Sequence, residues 1–276
     1  MTTAIVTDST SDIPREILDD FNIYQIAVDL TLDNKTYRDG FDLSRNDFYR
    51  KLPELKQVPT TAAPSSGRFQ QLYSTIFDQG FTEIISLHAS SLLSGIYNAA
   101  RLAALEFSQS IQVIDSEQLS MGLGFQVIQA ARCAKNGLPT DQILLEIKSI
   151  LDRSRVFAML DTFEYIQRSG RVSWAKARIG SILQIKPILE LTGGEIINRG
   201  MARTRGKGIR QLAEVLQSLG IIENLAVLHT NAADDGQRFI DQYSPTEVTS
   251  PLLVNVTTII GTHVGPNGLG FAAVVK

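Results

Sequence analysis

Apolar runs of four to six residues alternate along the chain with longer stretches of helical period. Residues 4–6, 83–87 and 111–114 read as short buried strands. Each leads through a hydroxyl-rich turn toward a helical pattern, over residues 14–20, 98–107 and 120–135 respectively. That strand, loop, helix order predicts a parallel α/β sheet. Residues 23–26 add a strand, and residues 28–32 and 35–37 pair as a hairpin around Asp33-Asn34. Helices are expected over residues 44–52, 65–77 and 141–152, the last after the break Gly137-Leu138-Pro139-Thr140. Beyond it the pattern changes. A strand over 155–160, short helices over 162–169 and 174–179, and a hairpin of 183–192 with 195–201 around Gly193-Gly194 precede helices at 207–219 and 233–243. Strands at 225–229, 247–253 and 270–275 complete an α+β layer with a mixed sheet. The expected domains are residues 1–153, an α/β/α domain with a parallel sheet, and 154–276, an α/β domain with a mixed sheet.

A length of 276 residues suits two domains, and 43% hydrophobic with 20% charged residues is the composition of an ordinary soluble globular chain. A net charge of −3 argues against bulk binding of nucleic acid. The single cysteine, Cys133, has no internal disulfide partner and reads as a small buried hydrophobe, which suits a reducing compartment. With neither a signal-peptide pattern nor about 18 consecutive apolar residues, the expected location is the cytoplasm, without stable membrane insertion.

Three hydroxyl-bearing turns carry the candidate chemistry. Pro59-Thr60-Thr61-Ala62-Ala63-Pro64-Ser65-Ser66-Gly67-Arg68-Phe69 joins hydroxyls to a helix start with no acidic residue, as suits a carboxylate or phosphate, or simply a capped loop. Ser90-Ser91-Leu92-Leu93-Ser94-Gly95 repeats the arrangement before the next helix, with glycine allowing close backbone approach. Thr7-Asp8-Ser9-Thr10-Ser11-Asp12 follows the first strand, where ligands often sit; its alternative is a helix opening with Asp12 as N-cap. Gly122 and Gly124 lack the third glycine of a dinucleotide loop and point to close helix packing. His88, His229 and His263 lie far apart without cysteines or paired carboxylates at ligand spacing, so no metal is expected. Gly206-Lys207 lacks the rest of a Walker run, and Ser94 lacks the preceding glycine of a hydrolase elbow.

Taken together, the turns of residues 7–12 and Pro59-Thr60-Thr61, then Ser91-Leu92-Leu93-Ser94-Gly95, Asp115-Ser116 with Met121-Gly122, Arg168-Ser169-Gly170-Arg171, Lys186-Pro187-Ile188-Leu189 and Gly261-Thr262-His263-Val264-Gly265-Pro266 closely resemble the DegV family across nearly the whole chain. The resemblance implies a bacterial fatty-acid-binding protein, the FakB component that presents an acyl carboxylate to a separate fatty acid kinase. It implies no catalytic residue and no cofactor, only a bound long-chain fatty acid. Carried onto matching positions, Thr61 and Ser94 would hold the carboxylate, with His263 and Arg171, in preference to Arg168, in the surrounding network. Hydroxyls and amides would leave a carboxylate oxygen open to phosphoryl transfer, whereas a tight arginine pair would mask it. His263 can donate or accept near neutral pH, and its plainer role is to cap a glycine turn. Ile96 stands where the family commonly has threonine, and can face core or ligand.

An acyl chain requires an apolar pocket, expected in the second domain; burying about fifteen methylenes would contribute ~12 kcal/mol gross. Candidate walls are residues 119–134, 157–163 and 179–188, for which dense core is the plainer reading. Between residues 196 and 213 the cations Arg199, Arg203, Arg205, Lys207 and Arg210 occur without Asp or Glu. Arg203, Arg205 and Lys207 are therefore candidates for docking the kinase, or form a solvated face. The rival reading is a hydrolase or transferase acting on a small carboxylate or phosphate ester, with Ser94 or Thr61 as nucleophile and His263 as base. A ligand-sensing regulator using the same pocket is a third.

Overall fold

The computed structural model describes residues 2–55, 57–172 and 185–276. Its first half runs β1 (Thr3–Asp8), α1 (Arg15–Asp20), β2 (Tyr24–Ile26), β3 (Asp29–Leu32), β4 (Lys35–Arg38), α2 (Arg45–Lys51), β5 (Thr60–Ala62), α3 (Ser66–Asp78), β6 (Glu83–His88), α4 (Ile96–Ala104), β7 (Ser110–Asp115), α5 (Met121–Lys135) and α6 (Thr140–Arg153). The second continues with β8 (Ser154–Met159), α7 (Glu164–Ser169), β9 (Lys186–Thr192), β10 (Glu195–Ala202), α8 (Arg205–Ser218), β11 (Ile222–His229), α9 (Ala233–Tyr243), β12 (Leu252–Asn255), α10 (Thr258–Val264) and β13 (Leu269–Val275).

The chain packs as two compact units that are not contiguous in sequence. The first comprises residues up to Asp29, Ala62–Arg153 and the hairpin tip Gly193–Glu195; the second comprises Leu30–Thr61, Ser154–Thr192 and Ile196–Lys276. This differs from a division into residues 1–153 and 154–276, and the reason is a set of bonds between positions some two hundred residues apart. Asp39 Oδ1 accepts from the Thr258 amide at 3.2 Å and from its hydroxyl at 2.7 Å. Tyr49 donates to Val256 O at 2.9 Å, and Arg45 to Asn255 O. Segment 30–61 therefore packs with the second unit.

In the first unit four parallel strands take the order β2-β1-β6-β7, with Ala4 beside Ile84 and Ile84 beside Ile111. Ile5, Val6, Ile84, Ile85 and Leu87 are almost wholly buried, as expected of parallel strands covered by helices on both faces. α3 begins at Ser65, whose hydroxyl accepts from the Arg68 amide, and buries Phe69, Tyr73 and Ile76 along one stripe. α5 buries eleven of its fifteen residues, Cys133 among them. A Cβ on Gly124 would lie 2.8 Å from Ser11 O, so the glycine serves close packing of α5 beneath the β1 loop.

The second unit holds a six-stranded mixed sheet, order β10-β9-β8-β13-β11-β12, in which β11 and β12 are parallel and the β8–β13 and β11–β13 pairs antiparallel. Phe157, Met159, Leu212, Leu216, Val227, Phe239 and Phe271 form its main core, with α8 and α9 packed on the sheet. A smaller cluster joins Leu160, Phe163, Ile166, Val172 and Leu189. β3 and β4 form the expected hairpin, and β5 joins it as a third strand that the hydrophobic pattern did not reveal. Both hairpins turn through paired positive φ, 45° and 64° at Asp33-Asn34 and 55° and 78° at Gly193-Gly194.

Some elements shift from their expected bounds. The helix expected over 98–107 starts two residues earlier, because Gly95 ends the serine loop. The strand expected over 247–253 lies later, at β12, since Val248 donates to Pro245 O in a turn. The helix expected at 174–179 and the candidate wall residues 179–184 lie outside the described residues.

Candidate functional site

In the second unit, β5 carries Thr61 and α10 carries His263, and the two side chains meet: Thr61 Oγ1 lies 3.1 Å from His263 Nε2. Several local features fix this pair. α10 is tied at its start to Asp39 through Thr258, and Thr262 donates to Thr258 O at 2.8 Å inside it. It stops at Gly265, with φ of 78°, where a Cβ would overlap the Tyr165 ring. Gly261 and Gly265 thus bracket the last helical turn, and His263 lies in helix and not in a glycine turn.

His263 stands in the last turn of its helix, where the helix dipole favours a cation. Two influences overrule it. Burial disfavours the charged ring, and the nearby Arg171 guanidinium repels it, so the pKa falls to about 4 and the imidazole is neutral at pH 7. Arg171 follows Gly170, the left-handed cap of α7, and is exposed while donating to Ser169 O at 3.1 Å. Arg168, by contrast, is held by Glu164 at 2.8 Å on the same helix.

Ser94 belongs to the first unit, at the start of α4. Nearly every amide leading to it is already used. Ala89 donates to Asp8 (3.1 Å), Ser90 to Gln118 O (2.9 Å), Ser91 to Asp115 (3.2 Å) and Leu92 to Ser90 Oγ (3.3 Å), while Leu93 and Ser94 both donate to Ser90 O at 3.0 Å. The donor left for a ligand is thus the half-buried Ser94 hydroxyl, whose oxygen accepts from the Ile96 amide at 3.4 Å, and not the loop backbone. Ile96, 1% exposed, faces the core.

The first turn, residues 7–12, is built inward. All six residues are at most 3% exposed. Asp12 is not an N-cap: it sits at φ of 59° and accepts from Ser120 Oγ at 2.5 Å, whereas Pro14 occupies the N-cap position of α1 without a side-chain bond. Ser9 Oγ accepts from the Val28 amide. Arg68, the lone charge of the second turn, is spent on Asp29 by two contacts of 2.9 Å and on Ala27 O.

A family model described as "Uncharacterised protein, DegV family" matches residues 2–276. This chain belongs to the DegV family. A DegV domain-containing protein of Listeria monocytogenes is 34% identical over 99% of this chain and 98% of its own length. Among solved structures, DegV of Bacillus subtilis, a fatty acid binding protein, superposes with a TM-score of 0.89 at 31% identity, covering 100% of both chains. A DegV family protein of Thermus thermophilus, also shown binding fatty acid, reaches 0.90 at 27% identity with the same coverage.

On this DegV-family chain the basic run at 199–210 is only partly available. Arg205 departs from the docking expectation: its guanidinium is bound by Asp235 and reached by Asp161 at 3.6 Å, and donates to Asn267 O. Asp161 in turn holds Lys186 at 2.6 Å, and Asp235 also holds Arg238. Acids distant in sequence neutralise a cation that looked unopposed in its own segment. Arg199 pairs with Glu190, while Arg203, Lys207 and Arg210 are exposed. The Asp161–Arg205–Asp235 network borders a polar cavity of about 590 Å³ that also includes His229, whose Nδ1 accepts from the Ala232 amide. A second cavity, about 410 Å³, lies in the first unit beside Phe21, Phe81 and Ala131. Neither cavity includes Thr61, Ser94 or His263. Among the described residues no group of histidine, cysteine and carboxylate side chains is placed to hold a metal ion, and no helix is long and apolar enough to cross a membrane.

Proposed function

We propose that this chain binds a long-chain fatty acid and presents its carboxylate to a separate fatty acid kinase for conversion to acyl phosphate. The observation that supports the binding part of this reading is fatty acid binding by structural relatives at 27% and 31% identity that match along the whole chain. The Thr61–His263 pair supplies chemistry that fits it. A neutral imidazole with its proton on Nε2 donates to Thr61 Oγ1, and the threonine proton is then directed at a carboxylate oxygen. Arg171 adds positive charge without enclosing the anion, and the Ser94 hydroxyl is the second proposed contact. A carboxylate held by hydroxyls keeps an oxygen exposed for attack on a phosphoryl group. Docking is proposed through Arg203 and Lys207, whose charge no acid among the described residues takes up.

Organic extraction of the purified protein followed by mass spectrometry is the direct test, with one equivalent of a long-chain fatty acid as the expected result. A lipid-free protein that also fails to bind added oleate or palmitate in calorimetry would overturn the reading. Turnover of a carboxylic or phosphate ester without any partner protein would replace it with the hydrolase alternative.

A further inference from the structure

Behind the serine loop of the first unit runs a row of four side chains, Tyr73, Ser86, His88 and Asp8, all 0% exposed. Tyr73 donates to Ser86 Oγ at 2.9 Å, Ser86 Oγ meets His88 Nε2 at 2.7 Å, and His88 Nδ1 meets Asp8 Oδ2 at 3.0 Å. Ser86, His88 and Asp8 have the connectivity of a hydrolase triad, but no substrate reaches a row without accessible surface. Both ring nitrogens of His88 are engaged, Nε2 by Ser86 and Nδ1 by Asp8, and because an ionised carboxylate only accepts, the Nδ1 proton is directed at Asp8. Burial pulls the Asp8 carboxyl upward, but its hydrogen bond and electrostatic interaction with His88, then the Thr10 and Ala89 donors, hold it below the ordinary carboxylate value.

The far end of the row is where it meets the proposed site. Asp8 Oδ2 also takes the Ala89 amide at 3.1 Å, the first in the series of occupied amides that ends at Ser94. Asp8 Oδ1 takes the Thr10 amide at 3.0 Å, binding the β1 loop to the same carboxylate. With each intervening amide already engaged, a displacement of Ala89 passes to the Ser94 hydroxyl and the opening of α4.

We propose that Asp8 and His88 are positioning residues for head-group recognition, holding the Ser94 hydroxyl in place through Ala89 without touching the ligand. The proposal rests on the fatty-acid reading with Ser94 as a contact. Its test compares affinities for a fatty acid and for the fatty alcohol of equal chain length in wild type, Ser94→Ala, His88→Leu, His88→Asn and Asp8→Asn, each checked for folding by circular dichroism. His88→Leu and Asp8→Asn are expected to weaken the acid by about tenfold while changing the alcohol by less than about twofold, as Ser94→Ala does. His88→Asn keeps a donor near the Nδ1 position and is expected to recover most of the loss. A downfield imidazole N–H resonance should appear in wild type and vanish in Asp8→Asn. Folded His88→Leu with wild-type discrimination, or equal losses for acid and alcohol, overturns the positioning role even where Ser94→Ala behaves as expected. Absence of fatty-acid binding in wild type would instead overturn the functional reading itself.

Discussion

His263 is where local and global electrostatics oppose each other most directly. A histidine in the last turn of a helix ordinarily gains from the dipole, yet burial and Arg171 bring this one to about 4. The unfolded ring titrates near 6.5, so as pH falls from 6.5 toward 4 the unfolded chain binds the proton first and the folded state loses stability. The loss amounts to about 3 kcal/mol at most and is complete below the folded pKa. Urea unfolding of wild type and His263→Gln between pH 7 and pH 4 measures this: the variant should lack that component of the slope, and identical slopes would contradict the buried neutral ring. A bound carboxylate acts in the opposite sense. Fatty acid should raise the His263 pKa, which NMR titration of the ring protons reads directly. Thr61→Val, which keeps the shape and removes the proton, should weaken fatty-acid affinity by about 1 to 3 kcal/mol. Equal affinity by displacement titration would remove Thr61 from the site.

At the scale of elements, α10 depends on its two ends. Its start is held by Asp39 and its stop by Gly265, and the stop admits no side chain because of both its φ of 78° and the Tyr165 ring. Gly265→Ala is therefore expected to destabilise the protein by about 1 to 3 kcal/mol, read as a lowered denaturation midpoint. It should also weaken fatty-acid binding through the displaced His263. Wild-type stability would mean that Tyr165 moves aside without cost. The strands and amphipathic helices of both halves were legible because burial on one face imposes a period of 2 or 3.6 on the residues themselves. α10 was not legible, since Thr258-Ile259-Ile260-Gly261-Thr262-His263-Val264 is apolar on most sides and rich in poor helix formers. Its helical form comes from packing. The serine loop followed the same rule: its residue types suggested donors, but only the hydrogen-bond network showed that most amides were already engaged.

Across the whole molecule, the charged surface differs most from what the linear order suggests. Arg203, Arg205 and Lys207 look equivalent in a segment without acids, but Asp161 and Asp235 come from other elements and, of these three cations, engage Arg205. Arg203→Glu with Lys207→Glu should leave fatty-acid affinity unchanged and, under the proposed function, slow phosphorylation of the bound fatty acid by a fatty acid kinase, most strongly at low salt. Unaltered kinetics would place docking elsewhere. Arg205→Glu should act differently, lowering stability by leaving three carboxylates close together. The same separation explains the two units. Fold class, the parallel and mixed sheets and the hairpins were legible from periodicity and turn residues, because such signals need only residues a few positions apart, and the family resemblance from short motifs in order along the chain. The assignment of Leu30–Thr61 to the second unit, the neutral state of His263 and the inward use of Asp8 and His88 were decided by tertiary structure alone. Each depends on partners eighty or more residues away, and burial and Coulomb forces act through space rather than along the chain.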